Sequence, residues 1–106
     1  MMIVRVENKN DILAVFRQHG ASIKALGVER LALFGSFVRG ENRADSDVDV
    51  VVDFRPDEKN IDRFIAVAEL LEGLLGRPVH LVTRESLSPY IGPKILMETE
   101  NVPLGA

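Results

Sequence analysis

The chain has no cysteine and no tryptophan, and its aromatics are five phenylalanines and one tyrosine. Without cysteine there can be no disulfide and no thiolate metal site, which is compatible with a cytoplasmic location. No apolar run approaches the ~18–20 residues needed to cross a bilayer, so no membrane contact is expected. The opening residues, MMIVRVENKND, lack a basic flank, an apolar stretch and a small-residue cleavage site, and no leader is expected. There is no large excess of positive charge either. The net charge is −3, which argues against direct nucleic-acid binding. Repeats, low-complexity tracts and linkers are also missing, so residues 1–106 read as a single domain with one modest core. A hydrophobic content of 46% and a charged content of 27% suit an ordinary soluble globular protein.

What the chain does have is unevenly placed charge. Residues 1–43 carry seven Lys/Arg and four Asp/Glu, whereas residues 44–75 carry nine acids and three bases. A basic segment beside an acidic one suits a phosphate ligand and its metal, though charged loops and a solvated helix face give the same pattern. Apolar spacing predicts a helix over Asn8 to Leu26, with Ile12, Phe16, Ile23 and Leu26 on one face, Asn8 as N-cap and Gly20 marking a place to break. His19 on that helix reads as packing. Strands are expected at Arg30–Phe34, Val48–Phe54 and Pro78–Thr83. Between the last two, Asn60–Leu75 is an amphipathic helix closed by Gly76. Beyond Ser86, a turn and a short helix from Pro93 are expected, with Tyr90 and Ile95 read as core. The fold class is α/β (α+β): a small mixed β-sheet with helices packed on one side.

The stretch richest in chemistry is Gly35 to Asp53, GSFVRGENRADSDVDVVVD. Gly35 and Ser36 follow a buried strand directly. There a glycine lets the backbone approach a ligand, and a hydroxyl with nearby amides can hold phosphate oxygens. Val38, Arg39 and Gly40 suit a helical turn with amides open to an anion, and Ser46 can cap or hold a turn. Asp47 and Asp49 stand two apart at the start of a strand, so both carboxylates fall on one face roughly 7 Å apart. Such a pair, with triphosphate oxygens, is how Mg²⁺ is commonly held, and it can align an in-line attack on the α-phosphorus of a nucleoside triphosphate. The plainer reading is a polar turn between strands whose two aspartates repel. Other motifs fail. An EF-hand beginning at Asp45 would need glycine and glutamate where Val50 and Pro56 stand. A P-loop would need lysine where Glu41 follows Gly40.

Gly35-Ser36, Arg39-Gly40 and Ser46-Asp47-Val48-Asp49 together resemble the signature of the DNA polymerase β-like nucleotidyltransferase superfamily. The likeness is strongest to the minimal nucleotidyltransferases of prokaryotic toxin–antitoxin pairs, the MNT or MntA-type antitoxins. It extends over LGVERLALFGSFVRG, LLGRPV and TRESLSPYIGPKIL, roughly Asp11 to Met97. The resemblance implies a nucleotidyltransferase-like minimal core and a cytoplasmic enzyme using ATP. It would transfer AMP to a tyrosine of a cognate HEPN-type ribonuclease toxin and so silence it. By the same resemblance, Gly35, Ser36, Gly40 and Ser46 belong to the nucleotide site, and Asp47 and Asp49 are Mg²⁺ ligands. Arg39 is either a phosphate contact or an ion-pair partner.

One position departs from the family pattern. Where the family implies a third carboxylate, within a Val-Asp-Leu-Val-Thr stretch, this chain reads Val79-His80-Leu81-Val82-Thr83. Asp53 is no obvious substitute, since it lies ~13 Å along the strand from Asp49. Three readings of His80 stay open: a working base, a metal ligand that shifts preference towards Mn²⁺, or the mark of a site that binds nucleotide and transfers poorly. The last would make the chain an antitoxin that neutralises by complex formation. A further alternative is a detached catalytic core that needs another chain to bring an RNA or small-molecule acceptor.

Overall fold

A computed structural model describes residues 6–104, and its first helix follows from local chemistry. The Asn8 side chain accepts a hydrogen bond from the Asp11 N–H at 2.9 Å, capping helix α1 (Lys9–Gln18), which buries Ile12, Val15 and Phe16. The apolar spacing continues to Leu26, yet the helix breaks at His19 and resumes as α2 (Gly20–Lys24). A Cβ at Gly20 would collide with the Leu104 carbonyl. The glycine is therefore the contact point at which the end of the described chain crosses this helical pair.

Strand β1 (Val28–Phe34) starts two residues before the expected Arg30. Its register is irregular between Val28 and Arg30, and the exposed Glu29 there hid the strand's start. After it come a single helical turn, α3 (Ser36–Arg39), strand β2 (Val48–Phe54) and helix α4 (Ile61–Leu75). Asn60 caps α4 through the Arg63 N–H at 2.8 Å, and Gly76 ends it with φ +64°. Strand β3 (Val79–Thr83) and helix α5 (Gly92–Glu98), with Pro93 in its first turn, follow as expected. Strand β4 (Glu100–Val102) was not expected. Its three residues hold a single apolar side chain, and only pairing with β1 makes them a strand.

The sheet order is β3-β2-β1-β4. β1 runs antiparallel to β2 and β4, and β2 runs parallel to β3 with α4 as the crossover that a parallel pair needs. This is the mixed sheet with helices expected from the sequence. Leu31, Leu33, Val48, Val50, Val52, Leu81 and Val102 share one core cluster with Ile12, Phe16, Ile23, Val67, Leu71 and Leu75. Each such side chain contributes about 1.5–3 kcal/mol, whereas an exposed ion pair such as Lys59–Glu85 adds about 0–1 kcal/mol. The core therefore holds the sheet. Because side chains alternate along a strand, fixing Val48 and Val50 in that core turns Asp49 to the other face. Tyr90 is not core: it stands in a turn and is 93% exposed. Ile95 is half-buried.

Among the described residues no helix is long and apolar enough to cross a membrane.

Candidate active site

The centre of the candidate site is Asp49. In the sheet it lies between Phe34 of β1 and His80 of β3. Its Oδ1 is 3.2 Å from His80 Nδ1, and the His80 ring tilts against Phe34 with centroids 6.4 Å apart. The Asp49 side chain is 23% exposed and that of His80 62%, so the carboxylate is sheltered and the imidazole is open to solvent. Burial raises the Asp49 carboxyl pKa above its ordinary value. The His80 hydrogen bond and charge pull it down, neighbouring Asp47 pushes it up and Arg39 lowers it.

Gly35 explains why that carboxylate fits. Its backbone has φ +77° and ψ −152°, a conformation open to glycine and almost nothing else. A Cβ there would occupy the place of Asp49 Oδ2. The turn after β1 thus presses bare backbone against the acid. Ser36 then opens α3, half-buried, with no side-chain hydrogen bond among the described residues. Gly40 ends α3 in the left-handed region (φ +72°) with open space around it, so its role is backbone geometry.

The other expected residues sort differently. Asp47 is exposed and lies one residue before β2, not on it, yet close enough to act on the Asp49 charge. Arg39 is ion-paired: its Nε donates to Glu41 at 2.6 Å and its Nη1 lies 3.6 Å from Glu98. Its pKa is raised chiefly by the Glu41 hydrogen bond. Ser46 Oγ accepts from the Arg43 N–H at 2.7 Å, so its hydroxyl shapes the turn before Asp47. Asp53 is held by Arg84 at 2.9 and 3.2 Å. It lines a separate charged groove of about 320 Å³ with Arg30, Lys59 and Glu85.

One residue escaped the sequence reading. Arg77, between Gly76 and Pro78, donates to the backbone carbonyls of Val6, Ala44 and Ser46 and lies over the Phe37 ring. No periodicity marks a side chain that binds distant carbonyls. The only hint was the arginine inside LLGRPV.

Two carboxylates beside a solvent-open imidazole suit a hard divalent cation. Among the described residues no three His, Asp or Glu side chains converge as a complete metal cage. An ion here would therefore draw its remaining ligands from water and substrate.

The model of the nucleotidyltransferase domain family matches residues 11–102. The protein adenylyltransferase MntA of Thermococcus cleftensis is 39% identical over 89 residues, covering 83% of this chain and 89% of its own. A solved structure assigned as a minimal nucleotidyltransferase superposes with a TM-score of 0.68 at 32% identity, over 83% of this chain and 93% of that one. A toxin–antitoxin crystal structure with AMP-PNP shares the fold, with a TM-score of 0.62 at 22% identity, over 79% of this chain and 72% of that one. So does a complex of an MNT antitoxin with a tri-AMPylated HEPN toxin from Shewanella oneidensis, with a TM-score of 0.54 at 19% identity, over 83% of this chain and 71% of that one. The family match over residues 11–102 and the 39% identity to MntA place the chain in the nucleotidyltransferase family, among the minimal nucleotidyltransferases of the MntA type.

Proposed function

We propose that this chain transfers AMP from ATP to a tyrosine hydroxyl of a HEPN-type toxin partner and thereby acts as an antitoxin. The observation that supports this most is the pairing of Asp49 with His80 on neighbouring strands, directly over Gly35 and next to Asp47. Gly35 and Ser36 offer backbone and hydroxyl to the triphosphate, Gly40 and Ser46 shape the turns around it, and Arg39 can exchange a glutamate for phosphate. A divalent ion, Mg²⁺ or Mn²⁺, held by Asp47 and Asp49 would neutralise the charge of the phosphates and of departing pyrophosphate. His80 takes the place of the third carboxylate. With Nδ1–H donating to Asp49, its Nε2 is free to accept the tyrosine proton. The acceptor oxygen then bonds to the α-phosphorus, the bond to the β-phosphate oxygen breaks, and pyrophosphate leaves.

The test is transfer of label from α-labelled ATP to a co-expressed HEPN partner. Label on a partner tyrosine is expected, with strong loss in Asp47→Asn. Unchanged labelling in that variant removes Asp47 from the mechanism.

A second reading has its own observation. The imidazole already occupies one oxygen of Asp49, which competes with metal binding there. On that reading the chain neutralises its partner by contact and transfers poorly. His80→Asp separates the two. If His80 is the working base, His80→Ala transfers about 10²-fold more slowly, and His80→Asp, whose carboxylate can also take the proton, transfers no faster than the native chain. A faster variant means that the native site is impaired, and neutralisation would then persist in the Asp47→Asn, Asp49→Asn double variant.

A further inference from the structure

We propose that Arg77 is a positioning residue for the metal–nucleotide site: its guanidinium fixes the peptide that carries Asp47. This rests on the assignment of Asp47 and Asp49 as the metal-binding pair.

Residues 41–47 form no helix or strand. The hydrogen bonds between Arg43 and Ser46, at 2.7 and 3.1 Å, give the turn its shape and do not tie it to the sheet. Asn42 anchors it to the Glu7 carbonyl at 2.8 Å, and the Glu41 N–H anchors it to Ser36 at 2.9 Å, both before the acidic end. At that end stands Arg77. Its Nη1 donates to the Ala44 carbonyl at 2.9 Å and to the Ser46 carbonyl at 3.2 Å. The Ser46 carbonyl belongs to the peptide bond that leads into Asp47, so this contact sets the plane from which the carboxylate departs.

The rest of the guanidinium is engaged too. Nε and Nη2 both donate to the Val6 carbonyl, at 3.1 and 2.8 Å. The Cζ atom lies 5.3 Å from the centre of the Phe37 ring. Phe37 is buried and follows Ser36 in the candidate nucleotide turn. Arg77 itself lies three residues before His80, and its neighbour Pro78 accepts the Val48 N–H that starts β2 at 3.0 Å. One side chain therefore joins the Asp47 peptide, the Ser36 helix and the approach to β3. Each of these hydrogen bonds goes to a carbonyl, and the fork geometry, not the charge alone, makes these bonds together.

The experiment measures binding apart from catalysis. Mn²⁺ is titrated into the full chain with AMP-PNP and followed by the loss of the free-ion electron paramagnetic resonance signal. Wild type, Asp47→Asn, Arg77→Ala and Arg77→Lys are compared, with circular dichroism and melting curves on each. Both Arg77 variants are expected to weaken Mn²⁺ binding by about 10–100-fold, the usual cost of losing a group that orients a metal ligand. Arg77→Lys keeps the cation beside Phe37, so it is the variant to read if Arg77→Ala does not fold. Wild-type binding in a folded Arg77→Lys, with binding weakened in Asp47→Asn, overturns the role of Arg77 and leaves the metal site standing. Wild-type binding in Asp47→Asn overturns the metal assignment itself, and this inference with it.

Discussion

Asp49→Asn is expected to cut AMP transfer by about 10²–10³-fold, the range for removing one preorganised group that stabilises developing charge. The amide keeps the shape of the side chain and can still accept from His80 Nδ1–H, but it no longer offers two anionic oxygens to a cation. The same substitution should leave the protein, free of divalent ions, as stable as the wild type or more so. Burial raises the Asp49 pKa in the folded state, so the folded chain holds that proton more tightly than the unfolded one. The stabilisation linked to the proton is complete below the ordinary carboxylate range and disappears as pH rises through the raised value. At neutral pH the charged carboxylate is thus a cost to folding that the amide removes. Single-turnover transfer and melting without divalent ions check both halves. Unchanged transfer would take Asp49 out of the chemistry. A marked drop in melting temperature would mean that the His80 bond outweighs the burial.

Gly35→Ala is expected to be nearly as damaging, and for a steric reason. Its backbone lies at φ +77°, which costs a non-glycine residue about 1–3 kcal/mol. The new methyl would also press on the Asp49 carboxylate. A displacement of about 1 Å at a reacting centre can cost about 10²-fold in rate, so transfer should fall by that order even in the folded fraction. A double-variant cycle with Asp49→Ala separates the two causes. Shortening Asp49 relieves the clash and leaves the backbone strain, so part of the stability loss should return. If none returns, the glycine serves backbone conformation alone and does not shape the acid's pocket.

Much of the architecture was legible because its causes are local. Asn8 caps α1 through a backbone N–H three residues on, and Gly76 closes α4, as a short window of sequence indicates. β2 stood out as a β-branched run. β4 and the start of β1 did not, because Glu29 sits at the irregular register of β1, and Glu100 and Asn101 look like loop residues until β1 pairs them. Tyr90 shows the opposite error: an aromatic near a proline-bearing turn looked like core, while the turn carries it outward.

By itself the sequence determined the motif: glycine-serine after one strand, two acids two apart at the head of the next, and a histidine on the third. Those positions follow from spacing, and spacing is a property of one chain segment at a time. Only the tertiary structure decided that His80 is bonded to Asp49, that Gly35 makes room for that acid, and that Arg77 reaches the peptide before Asp47. Each of those contacts joins residues far apart in the chain. They exist because burial of Val48, Val50 and Leu81 on one face of the sheet fixes a register that turns Asp49 and His80 together onto the other.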